Sequence, residues 1–112
     1  MINYNNKTFI PISNSENGET SNKTVFHYEQ VGDIVTSEYS GGQIIKGHLI
    51  GLVDEKGNID MRYHQINKKG QLSTGKCISK PEILENGKIR LHENWEWTSG
   101  NESKGKSIIE EQ

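Results

Sequence analysis

The chain has 112 residues, of which 30% are hydrophobic, and its 13 basic and 15 acidic side chains give a formal net charge of -2. This length predicts one domain over residues 1–112, with a single modest core. The balanced charge, without a basic run, argues against nucleic acid as a partner, and no apolar stretch approaches the ~20 residues of a membrane span.

The number of cysteines and the first residues of the chain indicate the cellular compartment of the protein. Cys77 is the single cysteine, so no disulfide can form within the chain, which is typical of a reducing cytoplasm. Residues 1–13 contain no basic segment followed by an apolar one, so we expect no secretory signal. The sequence therefore predicts a cytoplasmic protein.

Turn-like tetrapeptides divide the chain at seven places. Glycine and asparagine tolerate the positive φ that tight hairpins need, and Asn86-Gly87 is the strongest of these signals. The spacing between the turns suits sequential hairpins. The tetrapeptides occupy residues 16–19, 30–33, 40–43, 55–58, 68–71, 85–88 and 99–102.

The segments between these turns are rich in β-branched and aromatic residues, and several alternate between apolar and polar side chains. Pro11 predicts an edge or a bulge in the first strand, because proline cannot donate to a ladder. Pro81 predicts a break before Ile83 and Leu84, which we expect to form a short extra strand or a lid. In chain order the predicted strands are residues 7–13, 24–28, 33–39, 44–53, 59–66, 72–79, 89–97 and 106–110.

No segment shows sustained helical periodicity, so the chain is predicted to be all-β. Eight strands joined only by hairpins form an antiparallel up-and-down meander, and closing the meander into a barrel removes its exposed edges. We therefore predict an eight-stranded barrel, with a two-sheet β-sandwich as the alternative fold.

The seventh strand fixes its own register. A one-residue slip would expose two tryptophans, so we expect the tryptophan-bearing face to point inward. An inward Glu93 is costly unless it is paired, and its pKa should rise. This face carries Ile89, Leu91, Glu93, Trp95 and Trp97.

The inward faces of the fifth and fourth strands are less distinct. In the fifth strand we expect the inward residues to be Ile59, Met61, Tyr63 and Gln65. In the fourth we prefer the odd-numbered residues 45–53, because this choice keeps Lys46 and His48 in water. The even-numbered residues 44–52 are the alternative.

A binding site inside the barrel follows from these registers. Inward Gly47, Gly51 and Gly75 remove volume opposite the tryptophans, and an eight-stranded barrel either fills with side chains or holds one small ligand. In the alternative interpretation the glycines only relieve strain, and Glu93 bonds Tyr63, Gln65 or a backbone amide. The predicted ligand-binding residues are Met61, Tyr63, Gln65, Glu93, Trp95 and Trp97.

Other chemistry has little support in the sequence. The four histidines, His27, His48, His64 and His92, lie on different predicted strands, and Cys77 has no partner at the spacing of a metal site. No loop has the pattern that cradles a phosphate. We therefore expect no metal and no cofactor, and no catalytic residue can be named.

Three runs of the chain resemble a known family: residues 38–54 (EYSGGQIIKGHLIGLVD), residues 60–65 (DMRYHQ) and residues 91–100 (LHENWEWTSG). The chain as a whole is similar to short bacterial proteins of nearly this length that are often labelled N-acetylglutamate synthase. The resemblance implies acetyl transfer from acetyl-CoA to glutamate. Acetyltransferases hold the pyrophosphate on a glycine-rich turn that opens a helix, and this sequence has neither feature. By shape, the predicted barrel is similar to calycin-like ligand-binding barrels.

Three functions are consistent with these features. The first is a non-catalytic barrel that binds a small, partly apolar molecule against Trp95 and Trp97, oriented by Tyr63 and Glu93. The second is the acetyltransferase that the resemblance implies. The third is a protein-interaction module with a filled barrel, whose partner would meet residues 60, 62 and 64 or residues 92, 94 and 96. The sequence leaves open the ligand, the oligomeric state and whether the protein is an enzyme.

Overall fold

A computed structural model describes residues 2–112, which form eight β-strands and no helix. Every strand pairs antiparallel with the next one along the chain, and the last strand pairs with the first to close a barrel. The predicted up-and-down barrel is confirmed, and the β-sandwich alternative is wrong. The strands are β1 (Lys7–Asn14), β2 (Val25–Val31), β3 (Ile34–Gly41), β4 (Ile44–Val53), β5 (Ile59–Asn67), β6 (Leu72–Ile83), β7 (Ile89–Trp97) and β8 (Lys104–Glu111).

Within residues 2–112 there is no helix long and apolar enough to cross a membrane.

The connection between β1 and β2 differs from the other six. All six later turns hold a glycine at positive φ, from 63° at Gly32 to 86° at Gly57, as tight turns require. Gly18 has no positive φ, and residues 15–24 form a long loop instead of a tight hairpin. A turn does form here, because the N–H of Gly18 donates to the carbonyl of Ser15 at 3.0 Å, but the hairpin predicted at residues 16–19 is wrong, since β2 begins only at Val25. Gly18 is needed for another reason, since a Cβ there would lie 2.3 Å from Asn14 Nδ2.

Two bulges adjust the register. The pairing of β1 with β8 shifts between Pro11 and Ser13, which confirms the bulge predicted at Pro11. A second shift lies between Ile44 and Lys46 in the pairing of β4 with β5. Because a bulge adds one residue, Ile44 is buried and Ile45 is 57% exposed, so the preferred inward face is correct from Gly47 onward but wrong at Ile45.

Pro81 does not interrupt the sheet. Strand β6 continues through it to Ile83, and Pro81 pairs with Leu91 of β7. The predicted break is wrong. The pairing of β6 with β5 ends at Ser79, so beyond that residue β6 has a hydrogen-bonding neighbour on one side only. A residue without an N–H is tolerated at such a position.

One half of the barrel is filled by aromatic side chains. The rings of Phe9 and Tyr28 lie 4.8 Å apart, and Tyr4, from the segment before β1, packs 6.2 Å from Tyr28. The hydroxyl of Tyr4 donates to the carbonyl of Gly57, and its backbone N–H donates to Gln30 Oε1 at 2.9 Å. The chain before β1 thus closes this end of the barrel, and any space for a ligand lies toward the other end.

Candidate functional site

The opposite half of the barrel contains a cavity of about 50 Å³. Its walls come from the inward faces of the strands and from the loop between β1 and β2. The structure brings all six predicted ligand-binding residues to this one cavity, where they line its wall: Met61, Tyr63, Gln65, Glu93, Trp95 and Trp97.

Aromatic rings form much of the cavity wall. Trp97 lies edge-on to both Tyr63 and Trp95, with ring centroids 5.7 and 5.8 Å away. Phe26 and Tyr39 form a second pair, with centroids 4.5 Å apart. Aromatic walls with a few polar groups are the usual composition of small-molecule sites.

The inward glycines do not create the cavity. Tyr39, Tyr63 and Trp95 each lie over the glycine directly across the neighbouring strand, which is Gly47, Gly75 or Gly105 respectively. A Cβ at any of these glycines would come within 2.2–2.3 Å of the ring. The glycines therefore accommodate flat aromatic rings, and the expectation that they leave open space is wrong.

Glu93 projects into the interior at the base of the cavity. Its carboxylate accepts hydrogen bonds from Ser79 Oγ at 3.0 Å and from Ser107 Oγ at 2.9 Å. Burial raises the pKa of the Glu93 carboxyl, and the serine hydroxyls oppose part of that rise. No ion pair reaches Glu93 from residues 2–112. Its partners are thus two serines, and the alternative that it bonds Tyr63, Gln65 or a backbone amide is wrong.

Two further groups lie deep in the barrel near Glu93. Burial raises the pKa of the Cys77 thiol well above its usual range, and the charge of Glu93 adds to the rise. A protonated thiol is a weak nucleophile. The hydroxyl of Tyr28 is buried and has no hydrogen-bond partner among the residues that the structure describes. The Glu93 carboxylate can therefore accept a hydrogen bond in the cavity, and burial keeps the Cys77 thiol protonated.

The loop of residues 15–24 covers the cavity, and we call it the cap. Glu19 contacts two amides of β5: Gln65 Nε2 donates to its Oε1 at 2.8 Å, and Asn67 Nδ2 donates to its Oε2 at 2.7 Å. Gly18, Glu19 and Thr20 of the cap line the cavity. The cap therefore covers part of the mouth of the cavity.

Side chains of the barrel rim hold the cap in place. Trp97 Nε1 donates to the carbonyl of Asn17, and Asn17 Nδ2 donates to the carbonyl of Lys104, at 3.2 and 3.0 Å. Asn14 Nδ2 donates to Thr20 Oγ1 at 2.8 Å, while its Oδ1 accepts from Trp95 Nε1 at 3.2 Å. Both tryptophan N–H groups are thus bonded to the cap or to its anchor.

The positions of the histidine, cysteine and carboxylate side chains in residues 2–112 bear on metal binding. Across residues 2–112, no three His, Cys, Asp or Glu side chains come close enough to hold a metal ion. The cavity wall itself holds one cysteine and two carboxylates, Glu19 and Glu93, and no histidine.

Strand alternation could have identified some of the remaining site residues. Ser79 and Ser107 lie directly across from Glu93 on β6 and β8, so the correct pairing of strands was the missing information. No sequence pattern identifies Glu19 as a site residue, because it lies in a loop without periodicity. Its amide partners lie 46 and 48 residues further along the chain.

A comparison with protein-family models gives a match over nearly the whole chain. The model of a family described as "Avidin-like protein" matches residues 2–112. None of the curated proteins compared with the chain matches it.

Proposed function

Because this chain belongs to the avidin-like protein family, we propose that its barrel binds one small, partly apolar molecule in the interior and performs no chemistry on it. The rings of Trp95, Trp97 and Tyr63 contact the apolar body of the molecule. The Glu93 carboxyl, held by two serine hydroxyls, orients a polar group of the ligand.

The observation that supports this proposal most strongly is the position of the cavity. One half of the barrel is filled by the buried rings of Tyr4, Phe9 and Tyr28, whereas the other half keeps an aromatic-walled space that the half-buried Glu93 lines. A side-chain packing role alone does not need a carboxyl there, because burying it without a positive partner is unfavourable. A ligand that donates a hydrogen bond to Glu93 explains why a carboxyl lies at this position.

The size of the cavity requires the cap to move when a ligand enters. Sites for drug-sized ligands have volumes of roughly 300–1,000 Å³. The cavity of about 50 Å³ has room for a few water molecules. Displacing Glu19 and its neighbours in the cap joins this space to the mouth of the barrel, which makes the aromatic wall accessible.

Absence of catalysis is part of the proposal. The Cys77 thiol is buried beside a carboxyl that raises its pKa, and no histidine lines the cavity to act as its base. The acetyl transfer implied by the sequence resemblance stays a prediction, which an assay of acetyl-CoA turnover with glutamate tests directly. We also propose a cytoplasmic location, because the single buried thiol is compatible with a reducing compartment.

Native mass spectrometry of the protein as isolated is the first test. We expect a discrete added mass that is released on denaturation and that identifies the ligand. Leu49→Phe should abolish the added mass, because Leu49 is 2% exposed and lines the cavity. Ile50→Phe is the matched control, since Ile50, the next residue on the same strand, is 51% exposed and points outward.

Titration with a panel of small molecules tests for binding in case the ligand dissociates during purification. Biotin belongs in the panel because streptavidin, another small eight-stranded barrel, holds it. An added mass that persists in Leu49→Phe would place the ligand outside the cavity and contradict the proposal. A bare mass in all three proteins, without binding to any panel member, would favour the protein-interaction module instead.

A further inference from the structure

We propose that the ligand of this interior carries a carboxylate, and that Glu19 occupies the place of that carboxylate while the site is empty. The inference deepens the proposed function and rests on it, since it names the class of molecule that the same cavity takes. The evidence for this inference is the set of contacts that Glu19 makes at the mouth of the barrel.

The two amides at the mouth form a receptor for one carboxylate. Gln65 and Asn67 are neighbouring inward positions of β5, and each donates one N–H to a different oxygen of Glu19, at 2.8 and 2.7 Å. Gln65 is only 3% exposed and Asn67 only 6%. Two buried donors are thus directed at one anionic group.

Other bonds fix the direction of both amides. The hydroxyl of Tyr39 donates to Gln65 Oε1 at 2.8 Å, so the Nε2 group is turned toward Glu19. Asn67 Oδ1 accepts the backbone N–H groups of Lys69 and Gln71, each at 3.0 Å, within the turn after β5. Neither amide can rotate without losing these bonds, so both N–H groups stay directed at the mouth when Glu19 leaves.

Removing the cap takes the acceptor from Gln65 Nε2 and leaves Asn67 Nδ2 with one of its two bonds, to Gln71 Oε1 at 2.9 Å. An unpaired buried donor bears the full desolvation penalty of the group, and a hydrogen bond to a charged acceptor is stronger than one to a neutral group. A ligand carboxylate restores both bonds at once. The Glu19 carboxylate therefore competes with the ligand from within the chain, and it favours ligands that make the same two bonds.

The experiment compares a carboxylate with its neutral amide by isothermal titration calorimetry. Indole-3-butyrate offers a flat apolar body, an N–H for Glu93 and a carboxylate on a flexible chain. Indole-3-butyramide replaces one carboxylate oxygen with an NH2 group, which removes the charge and one of the two acceptors. In Glu19→Ala we expect the carboxylate to bind roughly tenfold more tightly than the amide, because charge-assisted hydrogen bonds are about twice as strong as neutral ones. The wild-type protein should bind the carboxylate more weakly than Glu19→Ala does, because its own Glu19 competes.

A second variant separates the donors from the cap. Asn67→Asp keeps an oxygen to accept the two backbone N–H groups of the turn, but it replaces the donor with a carboxylate. In Glu19→Ala/Asn67→Asp the preference for the carboxylate should disappear while the amide still binds. Far-ultraviolet circular dichroism checks that the β-structure of each variant is intact.

The other outcomes overturn the inference without deciding the proposed function. Equal affinity for both probes in Glu19→Ala would show that the mouth does not select a carboxylate. A preference that survives Asn67→Asp would place the carboxylate elsewhere. Failure of both probes to bind Glu19→Ala would also overturn it, and the mass measurement and panel described above would then decide alone whether the interior binds a small molecule.

Discussion

A carboxyl group at an inward strand position needs polar neighbours, and the pairing of the strands supplies them to Glu93. Ser79 of β6 and Ser107 of β8 are its direct cross-strand partners, one on each side. Both serines are almost fully buried, and their hydroxyls are the donors. Two neutral donors oppose part of the desolvation of the carboxylate, so the pKa of Glu93 is still raised.

A pH dependence of stability follows from this raised pKa. Below the pKa of the unfolded chain, about 4.5, the carboxyl is protonated in both states and does not disfavour folding. Between the unfolded and folded pKa values the folded state binds the proton more tightly, so the free energy of unfolding falls as pH rises. Glu93→Gln removes this pH-dependent contribution. As pH rises from about 4 to about 8, we expect the free energy of unfolding of the variant to increase relative to that of the wild type.

Urea unfolding at a series of pH values measures this difference. Glu55→Gln is the control, because Glu55 lies exposed in the turn after β4 and its replacement should leave the gap to the wild type constant. A constant gap for Glu93→Gln as well would contradict the raised pKa. Gln can still exchange hydrogen bonds with both serines, because a hydroxyl either donates or accepts.

Pairs of an aromatic residue and a glycine recur between neighbouring strands of the barrel. In each pair the ring lies across a glycine that is its direct partner, as Tyr63 does over Gly75. The absence of a Cβ lets the ring lie flat against the sheet, as in the aromatic rescue of glycines. These pairs give the cavity smooth aromatic walls, and they explain why inward glycines accompany aromatic residues in this sequence.

Gly75→Ala tests this packing. A Cβ at that position would lie 2.3 Å from Tyr63 Cζ, so the ring has to move, and we expect a loss of about 1–3 kcal/mol in the free energy of unfolding. In a Tyr63→Leu background the same substitution should be nearly neutral, and the double-mutant cycle gives the difference as the interaction between the two positions. An equal loss in both backgrounds would show that the ring does not cover the glycine.

The whole molecule is a closed barrel with one packed end and one capped end. Pairing of β8 with β1 closes the barrel, so β8 is held on both sides, while β1 pairs with β8 along most of its length and with β2 over Lys7–Phe9. The cap forms few backbone bonds to the strands, among them Ser15 N–H to the Lys106 carbonyl at 2.9 Å. Stability should therefore be lowest in the cap and similar across all eight strands.

Amide hydrogen exchange measures this distribution. We expect amides of the last strand, such as that of Ile109, to be protected about as well as those of the central strand β5, because closing the barrel prevents fraying. Amides of residues 16–23 should exchange at least roughly a hundredfold faster, since opening the cap leaves the barrel intact. Rapid exchange throughout β8 would show that the barrel opens between its first and last strands. Protection of the cap equal to that of the strands would contradict the opening on which ligand entry depends.

Much of the fold could be read from local patterns. Six of the seven hairpin turns, the strand positions and the inward faces of β5 and β7 were predicted correctly, because turn conformation and side-chain alternation depend on neighbouring residues. The errors at Ile45 and Pro81 have one cause, since a bulge and the end of a pairing partner depend on the adjacent strand. All six predicted residues line one cavity because alternation alone directs them inward.

The sequence by itself thus determined the barrel, its turns and the side chains that face its interior. Only the tertiary structure decided which end of the barrel is hollow, which serines meet Glu93 and that Glu19 lies between the amides of Gln65 and Asn67. The physical reason is the range of the interactions. Alternation and turn propensity act over a few residues, whereas the polar contacts of the site join loop and strand positions that are distant in the chain and are brought together only when the barrel closes.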